Sequence, residues 1–383
     1  SNWENTKKKW LEFLGIIESD NDTAANFEVQ LFEGNNLLND SCFVNISNVP
    51  SMPNIKGMID ANKGTFEMKL EIIDSLYRTY EGERRLVRAD ESYYPGEHSW
   101  QEVESGEKWD VNFGDDFRGG KAYLIGKNSN RSDTIVFFIR GNNPTQAQVQ
   151  SFTQTLNNGN AWYFVKMMRQ ESESFGDIFK QFNPGEPGPK NDDAGGRPNW
   201  GGPYGWGIMQ LDNLGETYGT LTEFNDRYGA STNELWNWQA NVRKGVRFFN
   251  GEKLTVADSR WEEALEDIEF WEEDNANFEQ QAYPMKIIQS LDNTEIDNIY
   301  NTMEIGDNDN NEKITSNPKP DENDHRLLRD AFAIKFYNGG PDYFLISIPN
   351  TPDSDEPETP MWLIDKTQNG RDYVDEVCGR AGW

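Results

Sequence analysis

The hydrophobic pattern of this chain changes its period once, close to Asn143-Pro144, and this change constrains the fold more than any other feature. Before it, short segments alternate apolar and polar residues, which is typical of half-buried β-strands. After it, apolar residues recur at every third or fourth position, which is typical of amphipathic helices. Proline disfavours helical angles in the residue before it, and Thr145 then suits a helix N-cap. The sequence therefore predicts two domains that meet here.

The predicted first domain spans residues 1–143 and is β-rich after a helix-like segment at 10–17. Its strand-like segments lie between turn clusters rich in Asn, Asp and Gly. They cover residues 27–33, 41–47, 64–73, 108–113, 121–126 and 134–141. The pattern predicts an antiparallel β-sandwich or a pair of small β modules, with an irregular insertion at 93–107. Targeting or docking is the hypothesis for its role.

The predicted second domain spans residues 144–383 and is α-helical. Its clearest apolar stripes cover residues 235–249, 261–271, 328–336 and 373–378. The strongly acidic stretch at 261–274 is interpreted as a helix with a solvated face. The predicted fold class is therefore a multidomain α+β protein, in which a β-rich, sandwich-like region precedes an α-helical domain.

The formal net charge of -30 at pH 7 argues against two classes of partner. Nucleic-acid binding requires clustered Lys and Arg to neutralise phosphates, and the chain has 36 of these residues against 66 Asp and Glu. Adsorption to an anionic membrane surface is disfavoured for the same reason. No apolar run reaches the roughly 18 residues of a membrane span. We therefore predict neither a nucleic-acid partner nor a membrane span.

The few histidines and cysteines argue against metal sites and His-based catalysis. The two histidines fall in different predicted domains, and so do the two cysteines, which disfavours a His triad, a zinc site and a disulfide. The stretch 307–314 opens like a calcium loop but lacks the central Gly and the closing Glu of such loops. We therefore predict no cofactor and no metal, with calcium at 307–314 as the open alternative.

Glu171 is the candidate catalytic residue. It lies near the end of a predicted helix, on the face that carries Phe164, Met167 and Met168. Desolvation on an apolar face raises the pKa of a carboxyl group, and the negative end of the helix dipole adds to this. A carboxylic acid that is still protonated near neutrality is what a glycosidase needs to protonate a leaving oxygen. The alternative is a helix-end glutamate that points into solvent.

Further motifs follow Glu171 in an order that is similar to that of a known family. In chain order they are Glu171-Ser172, Gly207-Ile208-Met209-Gln210, Asn241-Val242 with Gly245, Tyr337-Asn338-Gly339-Gly340, and Tyr373-Val374 with Val377. Over roughly residues 146–382 they resemble the soluble lytic transglycosylases and goose-type lysozymes. The chain departs from the family pattern at Phe336, where many relatives have Ala, and in a long acidic loop after Ser172.

The resemblance implies a lysozyme-like domain in which Glu171 is the catalytic acid. It implies that Ser172, beside the carboxylate, contacts substrate or orients the cleft. Gly207, Met209 and Gln210 would line the cleft floor, where a residue without a side chain lets a sugar approach closely. A position in the core is the alternative for Met209.

The resemblance also implies a second wall for the cleft, formed by later residues. Tyr337 and Asn338 would face Glu171, with the Tyr337 hydroxyl near the catalytic carboxyl, and Tyr373 would complete the wall. Core burial is the alternative for Tyr373, as a helix C-cap is for Gly339-Gly340. Two positions, Asn241 and Gly245, are interpreted as packing between helices. Aromatic side chains beside the cleft motif would either stack on sugar rings or belong to the core, and they are Trp200, Tyr204 and Trp206.

The implied activity is cleavage of the β-1,4 bond between N-acetylmuramic acid and N-acetylglucosamine in peptidoglycan. Hydrolysis of this bond usually needs a second carboxylate. The candidates are badly oriented or have no inferable position, and they are Glu173, Asp177, Asp192 and Asp193. We therefore favour the lytic transglycosylase reaction, which leaves a 1,6-anhydromuramyl end. The alternatives are a goose-type muramidase, a chitin-directed hydrolase and an inactive glycan-binding module.

The implied substrate predicts a periplasmic or secreted protein. The chain opens Ser-Asn-Trp-Glu without Met or a signal peptide, and we expect that its native N-terminus has been removed. Remodelling of the producer's own wall and delivery as an antibacterial toxin both fit the sequence. The predicted partners are peptidoglycan glycan strands, and delivery would add a secretion apparatus or an immunity protein.

Overall fold

The computed structural model is a mixed α+β protein with a β-rich N-terminal region and helices towards its C-terminal side, which confirms that part of the predicted fold class. It describes residues 27–73, 76–80, 83–88, 92–93, 100–159, 161–172, 179–184, 195–201, 205–212, 230–276, 285–288, 303–304, 313–314, 322–338, 344–347, 360–365 and 373–379. The helix-like segment predicted at 10–17 lies outside these residues. Within the described ranges, no helix is both long and apolar enough to cross a membrane.

Contacts divide the chain into two compact units, each built from two stretches of sequence. The first unit comprises Ser1–Pro144 with Lys180–Asn241, and the second comprises Thr145–Phe179 with Val242–Trp383. Residues 180–241 belong to the second domain in the sequence-based prediction, whereas their contacts lie with the β-rich region. The domain boundary after Asn143 stays a prediction, which the truncation described in the Discussion tests.

The β-rich region contains a strand in each of the six segments predicted to be one, and further short strands between them. The strands are β1 (Glu28–Glu33), β2 (Asn36–Leu38), β3 (Phe43–Ile46), β4 (Ile55–Asp60), β5 (Thr65–Ile73), β6 (Leu76–Tyr80), β7 (Glu83–Arg88), β8 (Ser92–Tyr93), β9 (Gln101–Glu104), β10 (Lys108–Asp110), β11 (Gly120–Lys127) and β12 (Ser132–Gly141). The irregular insertion predicted at 93–107 was wrong in part, because β8 and β9 both pair with β5.

Most of these strands form two sheets that face each other. One sheet has the order β10-β4-β1-β2, and the other has the order β3-β12-β11-β5-β8 with β9 also on β5. Glycines allow the sheets to approach closely. An added Cβ at Gly57 in β4 would lie 2.6 Å from the Met68 side chain of β5, and one at Gly126 in β11 would lie 2.6 Å from Val29 of β1. The core of this region therefore lies between the two sheets.

The later stretch of the first unit packs against the end of β12 and the neighbouring loops. Asn143 makes two hydrogen bonds to Phe182, since its Oδ1 accepts from the Phe182 N–H at 2.7 Å and its Nδ2 donates to the Phe182 carbonyl at 2.8 Å. The Trp238 indole donates to the Asn48 carbonyl at 2.7 Å. This stretch contains β13 (Trp200–Gly201), β14 (Gly205–Trp206), β15 (Leu211–Asp212) and the short helix Thr232–Trp236.

The second unit is mainly helical, as its apolar stripes predicted. We label the helices of the described residues α1 (Gln146–Thr153), α2 (Phe164–Glu171), α3 (Thr232–Trp236), α4 (Trp238–Phe248), α5 (Leu254–Asp274), α6 (Glu322–Asn338) and α7 (Tyr373–Gly379). The predicted N-cap is confirmed, because the Thr145 hydroxyl accepts from the Gln148 N–H and the Gln148 side chain accepts from the Thr145 N–H. A π-helical turn, Phe249–Lys253, separates α4 from α5.

The second unit also contains short strands that the sequence analysis did not predict. They are β16 (Met285–Ile288), β17 (Met303–Glu304), β18 (Lys313–Ile314), β19 (Phe344–Ser347) and β20 (Met361–Asp365). β16, β20 and β19 form one sheet, and β17 pairs with β18. Apolar runs of four or five residues carry too few positions for a period of two to be distinguished from one of 3.6.

Candidate active site

Glu171 is the last residue of α2, and its helix buries the face that the sequence predicted. Phe164, Met167 and Met168 are all fully buried, while Glu171 itself is partly buried at the end of this face. Burial raises the pKa of the Glu171 carboxyl from 4.5 to about 7, because desolvation penalises the ionised form. Near neutral pH, Glu171 therefore exists in both its acid and its base form.

Two side chains from later helices hydrogen-bond the Glu171 carboxyl. The Tyr373 hydroxyl, from the first turn of α7, donates to Oε1, and the Asn338 side chain reaches Glu171 from the end of α6. Both bonds favour the ionised form, and they lower the pKa of Glu171 by less than burial raises it. Together they fix the orientation of the carboxyl group within the second unit.

The phenol of Tyr373 remains protonated throughout the pH range in which Glu171 titrates. Burial raises the pKa of Tyr373 well above 10, and the negative charge on Glu171 raises it further. Tyr373 is 4% exposed, which agrees with its alternative as a core residue, and its hydroxyl still reaches the Glu171 carboxyl. Tyr373 thus acts as a hydrogen-bond donor to Glu171.

Tyr337 packs against an aromatic cluster. Its ring centroid lies 6.0 Å from that of Phe249 and 6.4 Å from that of Phe248. Phe249 opens the π-helical turn and also contacts Phe164 at 5.2 Å, so it links Tyr337 to the helix of Glu171. The family resemblance implies that the Tyr337 hydroxyl lies near the Glu171 carboxyl, whereas the hydroxyl that donates to Oε1 is that of Tyr373.

Ser172 follows Glu171 as the C-cap of α2 and is completely buried. Its N–H donates to the Met168 carbonyl at 3.0 Å. Its hydroxyl has no hydrogen-bond partner among the described residues. The Ser172 hydroxyl is therefore next in sequence to the candidate acid but does not hydrogen-bond its carboxyl.

The predicted cleft-floor motif forms a tight turn in the first unit. The Gln210 N–H donates to the Gly207 carbonyl at 3.2 Å, and the Gln210 Nε2 donates to the same oxygen at 2.7 Å. Gly207 has a φ of 72° and Gln210 a φ of 44°, both in the left-handed region. Met209 is fully buried, which agrees with its alternative as a core residue.

Two buried side chains that hold this turn were not predicted as site residues. The Ile208 N–H donates to Gln181 Oε1 at 3.1 Å, and the Met209 N–H donates to Asn241 Oδ1 at 3.0 Å. Asn241 was predicted to pack between helices, whereas its side chain hydrogen-bonds the turn. For Gln181 no sequence signal was available, because nothing near it in the chain predicts its burial.

Several predicted positions lie outside the described residues, namely Gly339-Gly340, Tyr204, Glu173, Asp177, Asp192, Asp193 and most of the stretch 307–314. Trp206 is 3% exposed, which favours its core alternative over a sugar platform. Nothing in the described ranges brings three His, Cys, Asp or Glu side chains together as a metal site would.

No protein-family model, no curated protein and no solved structure matches this chain.

Proposed function

We propose that the protein is a peptidoglycan lytic transglycosylase with a lysozyme-like catalytic domain in its C-terminal part. The observation that carries the proposal is the environment of Glu171, a partly buried carboxyl with a pKa of about 7 and two fixed hydrogen-bond partners. A pKa near the working pH is what a residue needs if it acts first as an acid and then as a base. The order of the motifs supplies the substrate class.

In the proposed reaction, Glu171 donates its proton to the oxygen that bridges N-acetylmuramic acid and N-acetylglucosamine. The bond from that oxygen to the anomeric carbon breaks, and the muramyl ring becomes an oxocarbenium-like cation. The ionised Glu171 then accepts the proton of the muramyl 6-hydroxyl, while the oxygen of that hydroxyl forms a bond to the anomeric carbon. This intramolecular step benefits from proximity and needs no activated water.

The neighbours of Glu171 have defined parts in this reaction. Because Tyr373 donates to Oε1, the transferable proton of the neutral acid belongs on Oε2. Tyr373 and Asn338 also stabilise the carboxylate that forms when the proton leaves. Substrate contacts by Ser172, Tyr337, Asn338, Tyr373, Gly207, Met209 and Gln210 are part of the proposal through the family resemblance.

Hydrolysis is the second candidate, and Glu376 is the observation that favours it. This exposed carboxylate lies one turn after Tyr373 on α7 and accepts a hydrogen bond from Gln170, the neighbour of Glu171. Its charge contributes to the raised pKa of Tyr373. In a muramidase such a carboxylate would activate the attacking water.

Digestion of purified sacculi tests the proposal. The full chain is expected to release soluble muropeptides. A periplasmic or secreted location is part of the proposal, because the proposed substrate lies there. If folded protein, shown by a cooperative unfolding transition, releases nothing from sacculi of several bacteria, the proposal fails. The remaining hypotheses are then a glycan-binding module and a chitin-directed enzyme. Binding to insoluble glycan and digestion of chitin then separate these two.

The Tyr373→Phe variant is expected to move the pH dependence of kcat/KM to higher pH. Cleavage requires protonated Glu171, so the wild-type rate falls as pH rises through about 7. Loss of the Tyr373 donor removes a bond that lowers the pKa of Glu171, and the descending limb should shift upward by roughly one unit. The matched control is Tyr163→Phe, which removes the hydroxyl of another buried tyrosine in the same unit. Its descending limb should stay at the wild-type pH. If the descending limb of Tyr373→Phe stays at the wild-type pH, Tyr373 is not a donor that lowers the pKa of Glu171.

A further inference from the structure

The Gly207–Gln210 turn is held from beneath by two carboxamides that are both completely buried. Asn241 accepts from the Met209 N–H at 3.0 Å and donates from Nδ2 to the Trp206 carbonyl at 3.1 Å. Gln181 accepts from the Ile208 N–H at 3.1 Å. Two successive N–H groups of the motif and the carbonyl of the preceding Trp206 are therefore bonded to side chains that are distant in sequence.

The orientation of each carboxamide is fixed by what its other end binds. Gln181 Nε2 donates to the Leu235 carbonyl at 2.9 Å and to the Glu234 carbonyl at 3.0 Å, both in α3. A flipped amide would place its NH₂ group against the Ile208 N–H and leave carbonyl oxygens facing one another. Since buried polar groups are costly when unpaired, neither side chain can turn without losing several bonds.

The turn is shaped to fit these two side chains. An added Cβ at Gly207 would lie 2.5 Å from Asn241 Nδ2 and 2.6 Å from Gln181 Oε1. Gly207 and Gln210 both adopt left-handed backbone angles, which cost free energy in Gln210 and persist only where the surroundings enforce them. The carboxamide bonds supply that enforcement.

We infer that Gln181 and Asn241 are positioning residues, which set the backbone of the Gly207–Gln210 turn for glycan binding. The inference rests on the proposed function, because that function makes the turn a substrate-binding element. The two side chains act through the turn, because both ends of each carboxamide are hydrogen-bonded to backbone groups of the protein.

The kinetic test compares Asn241→Leu and Gln181→Met with the wild type on soluble, uncrosslinked glycan strands. We expect KM to rise about 10-fold while kcat stays within about 3-fold, because the substrate-binding turn moves and Glu171 does not. A merely structural role would lower the active fraction, and hence kcat, at constant KM. Asn233→Leu and Gln239→Met make the same substitutions at exposed or half-exposed sites of the same unit, and should leave both constants unchanged.

Amide hydrogen exchange tests the inference independently of activity. Asn241→Leu should speed exchange at Met209 by roughly 10-fold or more, with less effect at Ile208, and Gln181→Met should do the opposite. Unchanged exchange at both amides would overturn the inference, as would a loss confined to kcat. If the wild type cleaves no glycan, the proposed function fails. Amide exchange in the turn and binding of the same glycan strands then still test whether Gln181 and Asn241 position the turn.

Gly207→Ala provides a second route if the polar substitutions prevent folding. It leaves both carboxamides in place but pushes the turn away from them, so the same rise in KM and faster exchange at both amides are expected. Wild-type KM in a folded Gly207→Ala protein would contradict the inference.

Discussion

Glu171→Gln is expected to lower the rate of glycan cleavage by a factor of at least about 100, within the usual range for removal of a general acid. Glutamine keeps the shape of the side chain and an oxygen that can accept from Tyr373, but it has no proton to transfer. The measurement is kcat on soluble glycan strands at pH 6. Glu266→Gln, on the exposed face of α5, is the matched control. Activity within a few-fold of the wild type would remove Glu171 from the mechanism.

The stability of the same variant shows whether the Glu171 carboxyl is buried and its pKa raised. The pKa of Glu171 is about 7 in the folded chain against an ordinary 4.5, so ionisation costs more in the folded state. The wild type should therefore lose stability as pH rises from 4.5 to 7, by about 1–3 kcal/mol. Glu171→Gln lacks this loss and should gain stability relative to the wild type over that interval. Denaturant unfolding at pH 5 and pH 8 measures the difference.

A fragment that begins at Asn142 is expected to be insoluble or to lack a cooperative unfolding transition. Residues 180–241, which the fragment keeps, contribute Phe182, Trp236 and Trp238 to the core of the first unit, and each is 1% exposed. An added Cβ at Gly141 would lie 2.2 Å from the Phe182 ring, and one at Gly119 would lie 2.1 Å from Trp236, so the missing region covers these rings closely. Exposing three large aromatic side chains costs about 5–9 kcal/mol, comparable with the whole stability of a domain.

Co-expression of residues 1–141 with the fragment is the control, because it returns the missing surface as a separate chain. Soluble complex is expected from the pair. A fragment that unfolds cooperatively by itself, at a temperature close to that of the full chain, would show that the boundary after Asn143 separates two independent domains. It would also restore targeting as the leading hypothesis for the β-rich region.

Local patterns were enough to predict the elements that carry the candidate site. The spacing of Phe164, Met167 and Met168 gave the buried face of α2, and that face explains why the pKa of Glu171 is raised. Thr145 could be predicted as an N-cap because it follows Pro144 and precedes a helical run, and the structure adds a capping box with Gln148. These features depend on neighbours in the chain, which the sequence displays directly.

Contacts between distant segments could not be predicted in the same way. Whether Tyr337 or Tyr373 donates to Glu171 Oε1 depends on how α6 and α7 pack against α2, and both tyrosines are plausible from their motifs. Gln181 has a side chain that is usually exposed, and only the tertiary structure buries it beside Ile208. The allocation of residues 180–241 to the first unit has the same origin.

The mass of the fragments released from sacculi tests the central claim most directly. Digestion in oxygen-labelled water is expected to give muropeptides that end in 1,6-anhydromuramic acid, one water lighter than hydrolysis products and without solvent oxygen. The Glu171→Gln protein should release almost none of them. Fragments with a reducing end that carries the solvent label would contradict the one-acid mechanism and identify the enzyme as a hydrolase.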